Sequence, residues 1–295
     1  MSMTRRDFAI LAAAALAARP AWAQDAGLIT RSIPSTGERL PVVGLGTAQV
    51  FDNDSETTRA AATQVVQALV AGGGSLIDTS SVYADSELVL GQVIGTAVPR
   101  DKVFIATKLE SPNADELKRS LARLRTPKLD LLQLHNVSDT GQSLGLFREW
   151  KAQGVCRYVG VTSTYHGAYP AVEAVLARER PDFVQIDYSL DDREAEKRVL
   201  PLAAEHKVAV LTALPFGRAR LLRATKDKPL PDWAQPFAKS WAQFFLKWLL
   251  ADPRVTAVIP GTNNAAHMTD NLGAMRGRLP NPDERKKMTD YVEAL

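Results

Sequence analysis

Residues 103–135 read VFIATKLESPNADELKRSLARLRTPKLDLLQLH and contain one complete pattern of strand, helix and strand. Two short apolar runs, 103–108 and 129–135, are separated by a segment, 114–124, whose apolar residues recur with helical spacing. A strand, a helix and a second strand in this order are typical of a βαβ unit, in which the two strands are parallel. The stretch therefore predicts a parallel sheet covered by helices.

The same alternation continues along the chain from residue 24 onward. Predicted strands are 42–46, 75–79, 103–108, 129–135, 158–162, 183–188, 208–213 and 256–260. Predicted helices are 56–71, 86–94, 114–124, 145–153, 169–178, 193–205, 241–250 and 265–274, with a last helix at 282–294. Eight strands that alternate with eight helices predict a (β/α)8 TIM barrel. Residues 28–40, with a turn at Ser35-Thr36-Gly37, predict an N-terminal β-hairpin before the barrel.

A doubly wound α/β sheet is the alternative architecture. Its dinucleotide-binding fingerprint is absent, because the segment 44–49 lacks the third glycine and Gly72-Gly73-Gly74 precedes a strand instead of beginning a helix. We therefore predict a single barrel domain over residues 24–295.

The amino-acid composition argues against several classes of protein. Hydrophobic residues make up 45% and charged residues 23% of the 295 residues, which argues against a disordered or fibrous chain. The net charge is +3, and no basic run with interleaved aromatic residues is present, so we predict no nucleic-acid partner. The single cysteine, Cys156, excludes an intramolecular disulfide and argues against a cysteine-based zinc site.

Residues 1–23 predict an export signal. They comprise a basic start, an apolar run at 8–18 and a small-x-small end at Ala21-Trp22-Ala23. The order Thr4-Arg5-Arg6-Asp7-Phe8 matches the pattern of bacterial twin-arginine signals. We expect the twin-arginine machinery to export the protein to the periplasm. We expect no membrane span in the mature chain, since no later apolar run approaches 18 residues.

Titratable residues end three consecutive predicted strands, namely Asp78, Lys108 and His135. The carboxyl ends of barrel strands meet at one mouth, so these side chains are expected around one cavity, with Tyr83 in the loop after Asp78. A phenol is a weak acid, and a neighbouring ammonium stabilises its phenolate. We therefore predict that Tyr83 donates a proton, that Asp78 keeps Lys108 charged and that His135 orients a carbonyl oxygen.

At these residues the sequence resembles the aldo/keto reductase family. The matching motifs are Leu76-Ile77-Asp78-Thr79-Ser80-Ser81-Val82-Tyr83, Ser86-Glu87-x-x-Leu90-Gly91, Ala106-Thr107-Lys108 and Asp130-Leu131-Leu132-Gln133-Leu134-His135. The likeness extends from residue 44 to residue 271, and the family's Asp-Tyr-Lys-His tetrad is present in order. The resemblance implies that the protein reduces a small aldehyde or ketone by hydride transfer from NAD(P)H, with Tyr83 as the proton donor.

The resemblance also implies an extended dinucleotide site across the barrel mouth. The implied cofactor-binding residues are Thr162, Ser163, Gln185, Phe216, Gly217, Arg218, Thr262, Asn263, His267 and Asn271. Relatives have a Ser-Asn pair at 162–163 and an aromatic ring where this chain has Ala213. Relatives that prefer NADP have Lys and Arg where this chain has Gly261 and His267. The expected cofactor is NADP, with NAD as the alternative, and we predict no metal site.

Two other functions stay open on the sequence. A dinucleotide-responsive binding or regulatory protein with little turnover is favoured by the changed positions at Thr162-Ser163 and Ala213, and disfavoured by the intact tetrad. A metal-dependent isomerase or aldolase would need carboxylates and imidazoles at several strand ends, and the sequence indicates one of each. The segment 221–238, with Trp233, is expected to wall part of the pocket.

Overall fold

The computed structural model describes residues 27–139 and 141–295. The predicted export signal, residues 1–23, lies outside the described residues. Within the described part, no helix has the length and apolar character needed to cross a membrane.

The described residues form a short hairpin, a parallel sheet and helices around it. The hairpin pairs β1 (Thr30–Ser32) with β2 (Arg39–Pro41) in antiparallel register. The parallel strands are β3 (Leu45–Gly46), β4 (Leu76–Asp78), β5 (Phe104–Leu109), β6 (Leu129–Leu134), β7 (Cys156–Ser163), β8 (Phe183–Asp187), β9 (Ala209–Ala213) and β10 (Ala257–Val258). The α-helices are α1 (Glu56–Ala71), α2 (Ser86–Val93), α3 (Ala114–Arg123), α4 (Gly145–Ala152), α5 (Tyr169–Glu179), α6 (Val199–Glu205), α7 (Arg220–Ala224), α8 (Trp241–Leu250), α9 (Ala265–Leu272) and α10 (Pro282–Glu293).

The sheet closes on itself. Strands β3 to β10 pair with their neighbours in chain order, and every pair is parallel. The backbone N–H of Gly44 donates to the Val258 carbonyl at 2.9 Å, and the N–H of Gly46 donates to the Pro260 carbonyl at 3.0 Å. These bonds join the first strand to the last, and the prediction of a (β/α)8 barrel with an N-terminal hairpin is confirmed.

Polar N-cap residues mark where several helices begin. The side chains of Ser55, Asn113, Ser240, Asn264 and Asn281 accept hydrogen bonds from backbone N–H groups in the first turns of α1, α3, α8, α9 and α10. Each cap satisfies N–H groups that have no partner within the helix.

The barrel interior is apolar at the bottom and polar at the top. Alternate residues of a strand face the interior, and the others face the helices. The interior apolar cluster includes Phe104, Leu131 and Phe183, together with Ile33 and Leu40 from the hairpin. The hairpin therefore plugs the amino-terminal end of the barrel, and the polar side chains gather at the carboxyl ends of the strands.

The predicted helix 193–205 is wrong in its first half. The structure has a 3-10 turn at Glu194–Glu196, and α6 begins only at Val199. A helix beginning at residue 193 would put Pro201 in its interior, where proline removes a hydrogen bond and clashes with the preceding turn. In α6, Pro201 lies in the first turn, where a missing N–H costs nothing.

Candidate active site

The strand register places the predicted catalytic residues side by side. Lys108 on β5 is the register partner of Gln133 on β6, which in turn is the partner of Gly160 on β7. A Cβ atom at Gly160 would lie 3.1 Å from Cγ of Gln133, so glycine leaves the space that this side chain occupies. The alternation of inward-facing residues thus puts a polar layer directly above the apolar interior.

Lys108 and Asp78 form a buried ion pair in this layer. The Lys108 side chain is 1% exposed, and its Nζ donates to Oδ2 of Asp78 at 2.7 Å and to the Thr79 carbonyl at 2.8 Å. Burial by itself disfavours the ammonium, but Asp78 and the Tyr83 phenol outweigh it, so the pKa of Lys108 lies above its ordinary value. Lys108 therefore carries a full positive charge at neutral pH.

Tyr83 and His135 complete the group. Nζ of Lys108 lies 4.7 Å from the centre of the Tyr83 ring. The Tyr83 ring meets the His135 ring edge to face, with 5.7 Å between ring centres. Asp78, Tyr83, Lys108 and His135, which the sequence predicts as one cluster, therefore lie together at the barrel mouth.

Gln133 is a member of the site that the sequence reasoning missed. Its Nε2 donates to Oδ1 of Asp78 at 3.3 Å and to Oε1 of Gln185 at 3.0 Å, and Nε2 of Gln185 donates to Oδ2 of Asp78 at 3.2 Å. Both carboxylate oxygens of Asp78 therefore accept hydrogen bonds from these amides. The signal was present in the sequence, because Gln133 precedes His135 by two residues and shares its face of the strand.

His135 is held by a second missed residue, Glu110. Oε2 of Glu110 lies 2.6 Å from Nδ1 of His135. Burial, and then the charge of Lys108, lower the pKa of His135 to about 4, so the imidazole is neutral at pH 7. Glu110 lies in the loop just after β5, and no sequence pattern set it apart from other loop carboxylates.

The residues expected at the nicotinamide end lie at the ends of β7 and β8. Thr162 and Ser163 end β7 and are buried, and Thr162 is the register partner of Gln185. Oε1 of Gln133, beside Gln185, is buried and has no hydrogen-bond partner among the residues that the structure describes. An unpaired acceptor next to an amide suits a bound group with an N–H donor.

The loop after β9 has an unusual backbone. Leu214, Gly217, Arg218 and Ala219 all have positive φ, and three of them are not glycine. Residues held in this region cost roughly 1–3 kcal/mol each and cluster at ligand-binding segments. Phe216 is partly buried against the core, and Arg218 is exposed on this loop. The arrangement fits a loop pre-shaped for a ligand.

The residues expected at the adenosine end surround the start of α9. Asn271 and Thr262 are buried, whereas Asn263 and His267 are exposed. Oδ1 of Asn264 accepts hydrogen bonds from the backbone N–H groups of residues 266 and 267, at 2.8 and 3.3 Å. This N-cap satisfies two amides in the first turn of α9.

A cluster of three side chains, His166, Asp187 and Asp192, lies near the carboxyl ends of β7 and β8. Nε2 of His166 lies 3.2 Å from Oδ2 of Asp187 and 3.1 Å from Oδ1 of Asp192. The hydroxyl of Tyr169 donates to Oδ1 of Asp187 at 2.8 Å. The three side chains are of types that bind divalent metals. The expectation of no metal site therefore stays a prediction.

The ring of Trp233 packs against Phe244 and Tyr291, each with 5.9 Å between ring centres, and so joins α8 to α10. Large aromatic rings bury much apolar area in such contacts. The expectation that the segment 221–238 walls part of the pocket stays a prediction. Cys156 is buried, and burial raises the pKa of its thiol to about 12, so it is unreactive at neutral pH.

Known proteins similar to this chain are oxidoreductases. A sequence model of the aldo/keto reductase family matches residues 42–290. Methylglyoxal reductase YeaE of Escherichia coli (strain K12) is 29% identical over 252 residues, covering 81% of this chain and 87% of that protein. The uncharacterized oxidoreductase YqkF of Bacillus subtilis (strain 168) is 24% identical, covering 89% of this chain and 96% of that protein.

Solved structures have the same fold. An aldo/keto reductase from Klebsiella pneumoniae in complex with NADP and acetate is 25% identical with a TM-score of 0.75, covering 88% of this chain and 94% of that chain. Another from Klebsiella pneumoniae, in complex with NADPH, is 24% identical with a TM-score of 0.76, covering 90% and 95%. The family match spans the barrel from its first strand to its last helix, and the chain is an enzyme of the aldo/keto reductase family.

Proposed function

We propose that this enzyme reduces a small aldehyde or ketone with NADPH, and that Tyr83 donates the proton. The observation that carries the proposal is the line of contacts from Asp78 through Lys108 to Tyr83: a buried ion pair at 2.7 Å, with its ammonium 4.7 Å from the phenol ring. Bound NADPH would supply the hydride to the carbonyl carbon.

The chain's own residues account for the proton. When the Tyr83 hydroxyl gives its proton to the carbonyl oxygen, a phenolate forms, and the nearby Lys108 ammonium stabilises that negative charge. Asp78, held on both oxygens by Gln133, Gln185 and Lys108, keeps the ammonium in place. These contacts fix the charges around Tyr83, so the site needs little reorganisation during the reaction.

The site offers different groups to the nicotinamide end and to the adenosine end of the dinucleotide. Thr162, Ser163 and Gln185 offer polar groups for the nicotinamide amide, and the loop with Arg218 offers a cation for the phosphates. Thr262 and Asn271 would bind at the adenosine end. The NADP and NADPH complexes of similar Klebsiella pneumoniae proteins favour NADP. NAD is the alternative, because no lysine or arginine stands at Gly261 or His267.

The test is oxidation of NADPH or NADH, followed at 340 nm with a panel of small aldehydes that includes methylglyoxal. Tyr83→Phe should lower kcat by about 10² to 10⁴-fold, since it removes the donated proton but little binding surface. NADPH binding, measured by fluorescence quenching, should survive in the same variant. Turnover by Tyr83→Phe at the rate of the unmodified protein would contradict the assignment.

A binding or regulatory protein with little turnover is the second candidate. It is favoured by Ala213, which offers no ring to stack on the nicotinamide, and by the Asn264 cap, which occupies two amides near the adenosine end. Tight NADPH binding without oxidation, across the whole panel of carbonyl compounds, would favour this candidate over the reductase.

We also propose that the twin-arginine machinery exports the enzyme to the periplasm, on the pattern Thr4-Arg5-Arg6-Asp7-Phe8. This route is understood to carry folded proteins, so the dinucleotide would be loaded before export. Replacing Arg5 and Arg6 with Lys should leave the precursor in the cytoplasm. Mature protein isolated gently from the exported fraction should release close to one nucleotide per chain on denaturation, whereas empty protein would argue against loading before export.

A further inference from the structure

A cavity of about 570 Å³ lies at the amino-terminal end of the barrel, at the opposite end from the candidate active site. The hairpin forms one wall, and the segments that lead into β9 and β10 form the other. This hairpin cavity is lined by four cationic side chains, Arg31, Arg39, Lys207 and Arg254. Among the described residues, no carboxylate lines it. Its volume is sufficient for a small organic ligand.

A second cavity, of about 620 Å³, shows that this excess of positive charge is local. It also contains Arg254, yet it is lined by four cations and four carboxylates. These opposite charges pair with one another, as where Nη2 of Arg285 lies 2.8 Å from Oε1 of Glu196. A wall of balanced charges needs no ionic ligand, whereas a wall of cations alone attracts anions.

Arg31 lacks a carboxylate of its own in the part of the chain that the structure describes. Asp252 is the acid whose charge reaches it, but Nε and Nη2 of Arg254 already donate to the two oxygens of Asp252, at 2.9 and 2.6 Å. Arg31 donates instead to the backbone carbonyls of Leu250, Asp252 and Val255. Burial lowers the pKa of Arg31, and the charge of Asp252 opposes this shift without cancelling it.

Arg39 and Lys207 are exposed and form no ion pair with any described residue. Nε and Nη2 of Arg39 donate to the hydroxyl and the carbonyl of Thr30, at 2.8 and 2.7 Å, so the guanidinium lies along the hairpin. A guanidinium has five N–H donors and an ammonium has three, so both side chains keep donors for a ligand.

The hydroxyl groups of the lining add further donors. Those of Thr30 and Ser32 accept from Arg39, at 2.8 and 3.4 Å. The hydroxyl of Thr256 accepts from the backbone N–H of Val210 at 2.9 Å. A hydroxyl that accepts a hydrogen bond can still donate its own hydrogen. The lining therefore presents positive charge and hydrogen-bond donors, which match a ligand with several anionic oxygens.

We propose that the hairpin cavity is a second ligand site, which binds a soluble phosphorylated compound. Guanidinium groups bind phosphate oxygens through paired hydrogen bonds. A phosphate monoester carries almost two negative charges at pH 7, so it neutralises more of the four cations than a single carboxylate does. The site lies at the opposite end of the barrel from Tyr83, and its ligand is therefore neither the carbonyl substrate nor the dinucleotide at the mouth.

Isothermal titration calorimetry with pyrophosphate reads binding directly and needs neither NADPH nor turnover. Lys207→Glu should raise the dissociation constant by about tenfold or more, because it replaces a charge-assisted donor with a repelling carboxylate. The Lys207 ammonium has no partner among the described residues, so the variant should stay folded, which circular dichroism checks. Equal dissociation constants for Lys207→Glu and the unmodified protein would overturn the proposal, as would the absence of saturable binding.

The matched control is Lys118→Glu, which changes the net charge equally. Lys118 is exposed on α3, and α3 joins strands that lie four places from β9 and β10 in the closed sheet. Its dissociation constant should stay within about twofold of the unmodified value, since distant exposed charges are screened. An equal loss in both variants would mean that pyrophosphate responds only to net charge, and would overturn the site.

Arg39→Gln tests the hairpin wall independently of Lys207. It should also raise the dissociation constant for pyrophosphate by about tenfold, since it removes the guanidinium that lies along Thr30. Its control is Arg119→Gln, on the exposed side of α3, which should have no effect. Pyrophosphate should raise the Tm of the unmodified protein and of both controls, and should raise it least in Lys207→Glu. Unchanged binding in Arg39→Gln would contradict the assignment of the hairpin wall.

A phospholipid headgroup presents the same phosphate chemistry, and cosedimentation with vesicles distinguishes the two sources. We expect no cosedimentation with phosphatidylglycerol vesicles beyond that with phosphatidylcholine vesicles. The large exposed apolar side chains of the described residues, which a membrane contact would use, lie outside the cavity lining. Cosedimentation with phosphatidylglycerol that Lys207→Glu abolishes would overturn the soluble ligand in favour of a headgroup. Each of these outcomes leaves the proposed reductase function untouched.

Discussion

Two lysines of this protein are equally buried and differ in what they contact. Lys108 in the barrel is 1% exposed, and Lys247 on α8 in the helix layer is 2% exposed. Lys108 donates to the carboxylate of Asp78 at 2.7 Å. Lys247 donates only to neutral groups among the described residues, the backbone carbonyls of Arg276 at 2.5 Å and Arg278 at 3.0 Å.

The different partners shift the pKa values of the two lysines in opposite directions. Burial, and then the charges of Arg278 and Lys239, lower the pKa of Lys247 to about 8. Burial acts in the same direction on Lys108, yet its carboxylate partner and the neighbouring Tyr83 raise the pKa above the ordinary value. Burial alone therefore does not mark a functional lysine. A buried lysine that is kept in its charged form beside a carboxylate and a phenol does indicate a functional site.

The largest expected contrast is in activity. Lys108→Met should lower kcat by about 10³-fold or more, because it removes the charge that stabilises the Tyr83 phenolate. Lys247→Met should leave kcat within about twofold, since no reacting group lies beside it. Steady-state kinetics with NADPH and a small aldehyde measures both, and circular dichroism checks that each variant is folded. Equal losses in the two variants would mean that the comparison reflects stability and not chemistry.

The next contrast concerns the partner of Lys108. Asp78→Asn should lower the free energy of unfolding by roughly 3–5 kcal/mol, because it leaves a buried ammonium without its opposite charge. The matched control is Asp290→Asn, which breaks the exposed pair with Lys286 and should cost less than about 1 kcal/mol. Urea unfolding at pH 7 measures both values. A loss for Asp78→Asn as small as for the control would contradict the buried charge pair.

The pH dependence of stability should reveal the lowered pKa of Lys247. Its pKa is about 8 in the folded chain and about 10.4 when unfolded, so between these pH values the unfolded state binds more protons. Stability contributed by this residue therefore rises as the pH increases from 8 to 10.4, by about 1–2 kcal/mol after allowing for solvent screening. The difference in urea midpoint between the unmodified protein and Lys247→Met should change over this range. A constant difference would contradict the lowered pKa.

The smallest expected effect lies at the start of the helix that carries Lys247. The Ser240 hydroxyl accepts from the N–H of Gln243 at 3.1 Å and donates to Asp270 at 2.6 Å. Ser240→Ala should lower the free energy of unfolding by about 1 kcal/mol, the usual cost of a lost N-cap. Activity at 25 °C should be unchanged. A fall in kcat without loss of folded protein would mean that the helix layer is coupled to the barrel mouth.

Much of the site was predictable because of strand geometry. Asp78, Lys108 and His135 each end an apolar run, and the carboxyl ends of parallel strands in a barrel meet at one mouth. Gln133 follows the same alternation and was predictable in principle. Glu110 was not, because its role depends on β5 and β6 ending at the same level, which places its carboxylate 2.6 Å from Nδ1 of His135.

The sequence by itself determined the fold class, the family resemblance and the four residues predicted at the mouth, since these follow from local periodicity and from motifs contiguous in the chain. The tertiary structure decided which charges pair. The sequence shows two lysines in apolar surroundings, Lys108 and Lys247. Only the packing of separate segments brings a carboxylate to Lys108 and two backbone carbonyls to Lys247. Electrostatic interactions depend on distance and burial and not on separation along the chain, so the charge state of each residue is a property of the folded molecule.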